Sequence, residues 1–471
     1  MTITTEGPST TMSRAAASER RRRLTALGLL VSAQFVVMLD TSIVNVALPS
    51  IQADLGLGPT GLSWVVNAYV LAFGGLLLLS GRVADLLGRR RMFIAGSALF
   101  TVGTLLAACA ADQWMLVAGR VVQGAGAAAL SPAAMSLLML SFPGQQRARA
   151  MSAWGAASAV GGATGVLAGG LLAGYFGWSS VFLVTVPVSA ASVVLARRVL
   201  DDGARGARRR FAARGAVTIT LAVVALVHGA LGAADHGWTS PTVLASLAGS
   251  AVLVASFVAV ERRTPDPLVP LELFRSRVLS TGVALAVLGG AARASTFVLV
   301  ALYLQKALAM APQHAGLAMV PTSLTGFVVS LAVLPRVLRA MGPRRSLVTG
   351  LVILATGHLW LAHAPAGAGY LLAVLPGLLL VATGVALSFT PTTMVVASAV
   401  PDTHAGLASG LASSATQVGA ALGTGTFTAI ALSAGGSGAG VLASSGFSAA
   451  FTAAAVVALA TAVLGCTIVR R

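Results

Sequence analysis

The chain has 471 residues, of which 56% are hydrophobic and only 9% charged, and its mean hydropathy is +0.89. About 20 apolar residues make one membrane crossing, so this composition excludes an ordinary soluble domain and describes a polytopic membrane protein with little room for anything else. The net charge of +18 is not a nucleic-acid footprint, because the arginines come in bursts between apolar runs, as the positive-inside rule requires.

Residues 1–23 are rich in Ser, Thr and Ala and close on Arg20, Arg21, Arg22 and Arg23. The apolar run that follows is too long for a signal-peptide core, so the expectation is a disordered cytoplasmic tail and an uncleaved first helix. Within that helix, QFVVMLDTSIVNVALP from Gln34 to Pro49 carries a carboxylate, Asp40, in the middle of an apolar segment. An ionised acid at bilayer depth costs about 3 kcal/mol or more, and its default reading is functional. At about 100° per residue, Gln34, Thr41 and Asn45 share one stripe with Asp40 beside it. A structural partner for a buried base is the plainer reading.

Fourteen apolar runs of crossing length follow one another, the first at about 24–48 and the last at about 446–468. With the N-terminus inside, 28 of the 31 basic residues fall on the inner connections, Arg120 and Arg293 lie within helices, and Lys306 alone is outside. That alternation predicts fourteen crossings with both termini cytoplasmic. The two longest inner connections bracket helices seven and eight, which divides the chain into a tail at 1–23, a six-helix bundle at 24–197, a linker with two inserted helices at 198–278 and a second six-helix bundle at 279–471. SAGGSGAG, from Ser433, reads as a flexible outer connection.

GRVADLLGRRR, Gly81 to Arg91, is a turn bounded by Gly81 and Gly88. Its single acid, Asp85, lies among bases that include Arg89 and Arg90. It suits hydrogen bonding to helix ends across a cytoplasmic interface, or it is a plain positive-inside cluster. Helix four brings Arg120, Gly124 and Ser131 to one face with Gln123 at its border. Asp40 is the intramembrane carboxylate available to Arg120; backbone carbonyls are the rival acceptors. Pairing favours the charged acid while desolvation favours the neutral one, which leaves a group that substrate or hydration can tip. Gly161, Gly165 and Gly169 recur four apart in helix five and let two helices approach closely, as static packing or as a hinge. Arg293 in helix nine has no local partner and reads either as a substrate contact or as a base bonded to carbonyls. In helix thirteen, Gln417 joins Gly406, Gly410, Ser413 and Ser414 on one side, a cavity wall or a packing face.

Several chemistries are excluded. The sole lysine, Lys306, lies between Gln305 and Ala307, so no phosphate-binding loop ending in Gly-Lys-Ser/Thr exists and ATP hydrolysis is not expected. Cys109 and Cys466 have no Cys or His at ligand spacing, which argues against a metal site or disulfide framework. No nucleophile, base and orienting residue cluster as an enzyme would need. A non-transporting membrane sensor is the rival from another class, and it would normally carry a signalling domain that is not expected here.

LDTSIVNVALP (Leu39 to Pro49), GRVADLLGRRR, RVVQGAGAAA (Arg120 to Ala129) and GGATGVLAGG (Gly161 to Gly170) together resemble the successive signatures of the major facilitator superfamily, specifically its fourteen-helix drug:proton antiporters. YLQKALAMAPQHAGLAMVP (Tyr303 to Pro321) and HAGLASGLASSATQVGAALG (His404 to Gly423) resemble family stretches of the second half. The resemblance implies an all-α fold of two six-helix bundles rocking about a central site, with export of a lipophilic compound against inward-moving protons. By position it assigns Asp40 and Arg120 to proton coupling. It assigns Gly81, Asp85, Gly88, Arg89 and Arg90 to the cytoplasmic gate, and Gly161, Gly165 and Gly169 to the antiporter glycines. Gln34, Thr41, Asn45, Gln123, Arg293 and Gln417 are the candidate cavity residues. The chain departs from the pattern at Leu86, where a base is common, at Val166, where proline often follows a glycine, and at Ser179, Ser180 and Thr185, where Arg, Trp and Asn are expected. The expected partners are a small lipophilic substrate, protons and the bilayer, with no nucleic acid and no cofactor beyond the proton gradient. The expected setting is a monomer in a bacterial cytoplasmic membrane, and a dedicated exporter of one metabolite or self-made antibiotic is the alternative.

Overall fold

Helix follows helix through the described residues, and several of the turns between them fall where glycine, proline or a capping side chain stops one element and starts the next. A computed structural model describes residues 8–200, 213–308, 310, 312–364, 369–401, 404–433 and 441–469. The first half comprises α1 (Pro8–Leu55), α2 (Pro59–Leu87), α3 (Arg89–Ala108), α4 (Gln113–Ser141), α5 (Gln145–Phe176), and a broken sixth helix, α6 (Ser179–Leu183) with α7 (Val186–Val199). Gly88 turns α2 into α3 at φ 102°, a conformation closed to most side chains. Asp112 caps α4 by accepting from the Met115 amide at 2.9 Å.

Two inserted helices, α8 (Ala213–His236) and α9 (Pro241–Arg263), lead through a short 3-10 turn at Leu271–Arg275 to the second half. Its first helix is α10 (Arg277–Leu302), extended by a π turn at Tyr303–Ala307. Its second is built from α11 (Pro312–Ala318), α12 (Val320–Val328), a π turn at Val329–Val333 and the opening of α13 (Leu334–Ala362). At Gly342, φ 74° breaks α13 just before Pro343, and the remainder is the third helix. The fourth is α14 (Tyr370–Ala373) with α15 (Leu375–Ser398), and α16 (Ala405–Ser433) and α17 (Val441–Val469) complete the half.

The halves repeat one packing scheme. Third and fourth helices meet through bare glycines: a Cβ on Gly119 would stand 2.7 Å from the Ala107 amide, and one on Gly384 2.5 Å from the Leu354 amide. First and fifth helices do the same. A Cβ on Gly165 would stand 2.7 Å from the Leu39 carbonyl of α1, and one on Gly423 2.5 Å from the Ala291 carbonyl of α10. Each fourth helix contains an internal proline, Pro132 in α4 and Pro391 in α15. Each half also has its own apolar core, around Phe93, Phe100 and Trp154 in the first and around Leu285, Leu354 and Phe451 in the second.

Two expectations are modified. The helix reaches back to Pro8, because no further Gly or Pro interrupts residues 9–23, so the arginine cluster sits on α1 rather than on an unstructured tail. Among the described residues twelve helical stretches are long and apolar enough to cross a membrane, not fourteen. The difference has two sources: His314–Ala362 counts as one stretch of 49 residues despite its break, and α16 is not among the twelve. Arg205, Arg208 to Arg210, most of the glycine-rich 433–440 connection and the C-terminal Arg470 and Arg471 lie outside the described residues.

Candidate functional site

Asp40 is fully buried, and so are Arg120, at 2% exposure, and Gln123. Helical spacing of three puts Arg120 and Gln123 on the same side of α4, facing α1. Arg120 Nη1 donates to Asp40 Oδ2 at 2.8 Å and to Gln123 Oε1 at 2.6 Å. Gln123 Nε2 donates to Asp40 Oδ1 at 2.7 Å and to Thr104 Oγ1 at 2.9 Å. Arg120 Nε donates to the Val65 carbonyl at 3.1 Å, and its guanidinium stacks 4.3 Å from the Tyr69 ring centroid.

The site thus uses four helices, and both rival acceptors of Arg120, carboxylate and carbonyl, are engaged at once. Gln123 holds each end of the ion pair. If Asp40 takes a proton, Arg120 keeps the Gln123 and Val65 oxygens, so the acid can discharge without stranding a bare guanidinium. Val65, Tyr69 and Thr104 were not legible as partners. A backbone carbonyl carries no sequence signal, and Tyr69 and Thr104 sit in apolar runs where either residue type is ordinary.

Along α1, Thr41 and Asn45 are exposed, beside the buried acid. Gln34 is not with them. It is buried against α5, where its Nε2 donates to Ser158 Oγ at 2.9 Å. The repeated glycines of α5 lie on the same helix pair: Cβ atoms on Gly161, Gly165 and Gly169 would stand 2.5, 2.7 and 2.9 Å from the carbonyls of Phe35, Leu39 and Ile43. They press α5 onto the α1 segment that carries Asp40, one glycine per turn.

A second cluster joins the halves. Asp85 Oδ1 and Oδ2 accept from the Gly406 and Leu407 amides at 2.9 and 2.8 Å, and Arg89 Nη2 is 2.9 Å from Oδ1. The acid therefore sits at the N-terminus of α16, where unpaired amides and the helix dipole favour a negative charge. The helices touch backbone to backbone above it: a Cβ on Gly81 would stand 2.9 Å from Gly410 Cα, and one on Gly410 2.8 Å from the Leu77 carbonyl. Gln417 is half-buried further along α16, opposite Gly74 of α2. Arg90 is half-buried and outside this network.

Arg293 stands apart from both clusters. It is 4% exposed, and none of its three guanidinium nitrogens has a hydrogen-bond partner. The Phe389 ring of α15 has its centroid 5.8 Å from the guanidinium. Nearby on α10, Thr296 Oγ1 lies 2.6 Å from His358 Nε2 of the third helix, a bond that satisfies one side of a buried histidine. His228 of α8 stacks on Trp64 of α2, with ring centroids 6.2 Å apart.

Two helical repeats that enclose a buried acid–base pair and meet through a polar seam define a multi-pass membrane transporter. Residues 30–424 match the Major Facilitator Superfamily model, and the chain belongs to that family. It is 39% identical over 371 residues to the cephamycin export protein CmcT of Amycolatopsis lactamdurans, an alignment covering 78% of this chain and 76% of that one. It is 37% identical over 374 residues to the puromycin resistance protein pur8 of Streptomyces alboniger, covering 79% and 74%. The solved structure of the proton:xylose symporter XylE superposes with a TM-score of 0.65 at 14% identity, covering 94% of this chain and 95% of that one, which bears on the fold alone. The chain is a transporter and not an enzyme, and its relatives export antibiotics or confer drug resistance.

Proposed function

We propose that this chain is a proton-coupled antiporter that exports drugs or antibiotics from a bacterial cell by alternating access, with Asp40 as the proton carrier. The observation that carries the reading is the Asp40–Arg120–Gln123 network, a carboxylate buried at membrane depth whose partners remain satisfied in either protonation state. Thr41 and Asn45 are exposed beside the buried acid and Gln417 is half-buried on α16, which supports reading the three as the wall of the substrate cavity. The arginine bias sets both termini and the Asp85 seam on the cytoplasmic side of the cell membrane. The described state is then the one closed to the cytoplasm. A reading with fourteen crossings is supported if the segments on either side of the Gly342 break are counted separately and the 29-residue α16 is added to the twelve apolar stretches.

In the cycle, Asp40 is protonated from outside, and the Asp85 seam parts as the halves rock. Substrate then enters from the cytoplasm as the proton leaves. One proton moving down about 100 mV supplies roughly 2.3 kcal/mol, enough for about a fiftyfold gradient of a neutral substrate. The test is uptake of ethidium, a fluorescent lipophilic cation, into inside-out vesicles or proteoliposomes under an imposed proton gradient, comparing wild type with Asp40→Asn. Gradient-driven movement that vanishes in a well-expressed variant supports the reading; equal accumulation by both proteins overturns it.

A further inference from the structure

The two halves repeat one architecture, and each sets an arginine between its first and fourth helices, but the two arginines are treated oppositely. Arg120 links α4 to α1 with an acid, an amide, a carbonyl and an aromatic ring around it. Arg293 of α10 has no hydrogen-bond partner at any of its guanidinium nitrogens, and the Phe389 ring of α15 lies near the outer limit of a cation–π contact. Its position is nevertheless built: a Cβ on Gly289, one turn back on α10, would stand 2.6 Å from Arg293 Nη1. The chain keeps that position bare, and the guanidinium lies over it. A guanidinium stays protonated at neutral pH and offers five donors in a planar fork, and a buried one left without an acceptor is costly.

We propose that Arg293 is an anion-recognition residue whose guanidinium receives a carboxylate carried by the exported compound. This rests on the export reading above and narrows its substrate class. A carboxylate matches the fork with two parallel N–H···O bonds and supplies the counter-charge that no described residue supplies. A compound without a carboxylate gains nothing at this point. The acid of the first half, Asp40, is already committed to Arg120, so Arg293 offers a ligand a fixed positive charge that no described hydrogen bond or ion pair occupies.

The experiment measures binding to purified full-length protein with a matched fluorescent pair, anthracene-9-carboxylate and its neutral amide. Wild type is expected to bind the carboxylate at least about tenfold more tightly than the amide, the scale of one charge-assisted bond pair. Arg293→Gln is expected to erase that preference while leaving amide binding unchanged. Arg293→Lys, which keeps the charge and loses the fork, is expected to fall between them. Gly289→Leu, which displaces the guanidinium without removing it, is expected to act in the same direction as Arg293→Gln and keeps the test open if that variant misfolds. A wild type with no carboxylate preference, or variants that weaken both probes equally, overturns the proposal. Repeating the titration in nanodiscs with and without anionic lipid separates a second source of the anion: a preference that appears only without anionic lipid assigns the guanidinium to a headgroup and also overturns it. A preference found in a protein that exports nothing would refute the export reading and leave the anion site standing.

Discussion

Replacing Asp85 with asparagine tests whether the seam between the halves is held by charge at a helix end. The carboxylate accepts from two backbone amides of α16, at 2.9 and 2.8 Å, and is itself buried. A hydrogen bond to a charged group contributes about 1.5–3 kcal/mol, and an acid at a helix N-terminus about 0.3–1 kcal/mol more. Asparagine keeps a single carbonyl oxygen and turns an amine toward amide donors, so it retains one of the two bonds at most. The closed state should therefore lose about 2–4 kcal/mol, moving the equilibrium towards opening by about thirtyfold to several hundredfold. Labelling by a maleimide reads this out. Cys109 and Cys466 are both exposed and are first changed to serine, and Leu407, 1% exposed in the seam, becomes the single cysteine. Modification in membranes should accelerate at least about tenfold in Asp85→Asn, with export slowed, and Asp85→Glu should restore part of the protection. Equal labelling rates with and without Asp85 would refute the argument, since the buried carboxylate would then contribute nothing to closure.

Three further outcomes follow from the geometry. Arg120→Lys preserves the charge but cannot reach the Asp40, Gln123 and Val65 oxygens together, and proton-driven export should fall by about tenfold or more in vesicles. Gly165→Val would drive its Cβ to within 2.7 Å of the Leu39 carbonyl. It should cost about 1–3 kcal/mol in thermal stability, whereas Gly162→Ala, which meets only Ser42 Oγ at 3.7 Å, should be tolerated. Trp178→Phe removes the bond from Nε1 to Asp54 Oδ2 at 2.7 Å. It should lower stability by about 1.5–3 kcal/mol, and adding Asp54→Asn should cost little more, a non-additivity that a double-mutant cycle on unfolding midpoints detects.

The order of helices and the division into halves were legible because hydrophobic length and arginine placement are one-dimensional signals. The Asp40–Arg120 pair was legible for a different reason: few charges occur in the apolar runs, and opposite ones must meet. Gln123 entered through its spacing from Arg120. What the sequence could not show was that Gln34, on the same nominal stripe as Thr41 and Asn45, turns into the α1–α5 contact instead. A stripe on a helical wheel is wide, and neighbouring helices decide which edge of it stays open. The glycines of α5 were ambiguous between hinge and packing, and their approach to successive α1 carbonyls shows packing in this state. Nor could spacing reveal that Asp85 binds amides more than 300 residues away, because its acceptor geometry depends on where α16 begins.

The inserted helices show how the same seam is bounded from outside. In α2, Gly75 leaves room for α8, whose Val224 Cγ2 would stand 2.6 Å from a Cβ placed there. The strap that follows α9 is fixed twice: Glu261 Oε2 accepts from the Val269 amide at 2.8 Å, and Arg82 of α2 donates to the Pro267 carbonyl at 3.1 Å. Leu268 and Val269 are thereby buried among Leu78 of α2 and Leu407 of α16. The strap is held to α2 by a charge-assisted hydrogen bond as well as apolar contact, and it packs on Leu407 of α16 through apolar contact. If the seam parts, the packing on Leu407 is lost as α16 moves from α2. Leu407 then loses Asp85 at its amide and the strap at its side chain in a single movement, which makes it the seam position whose exposure should change most.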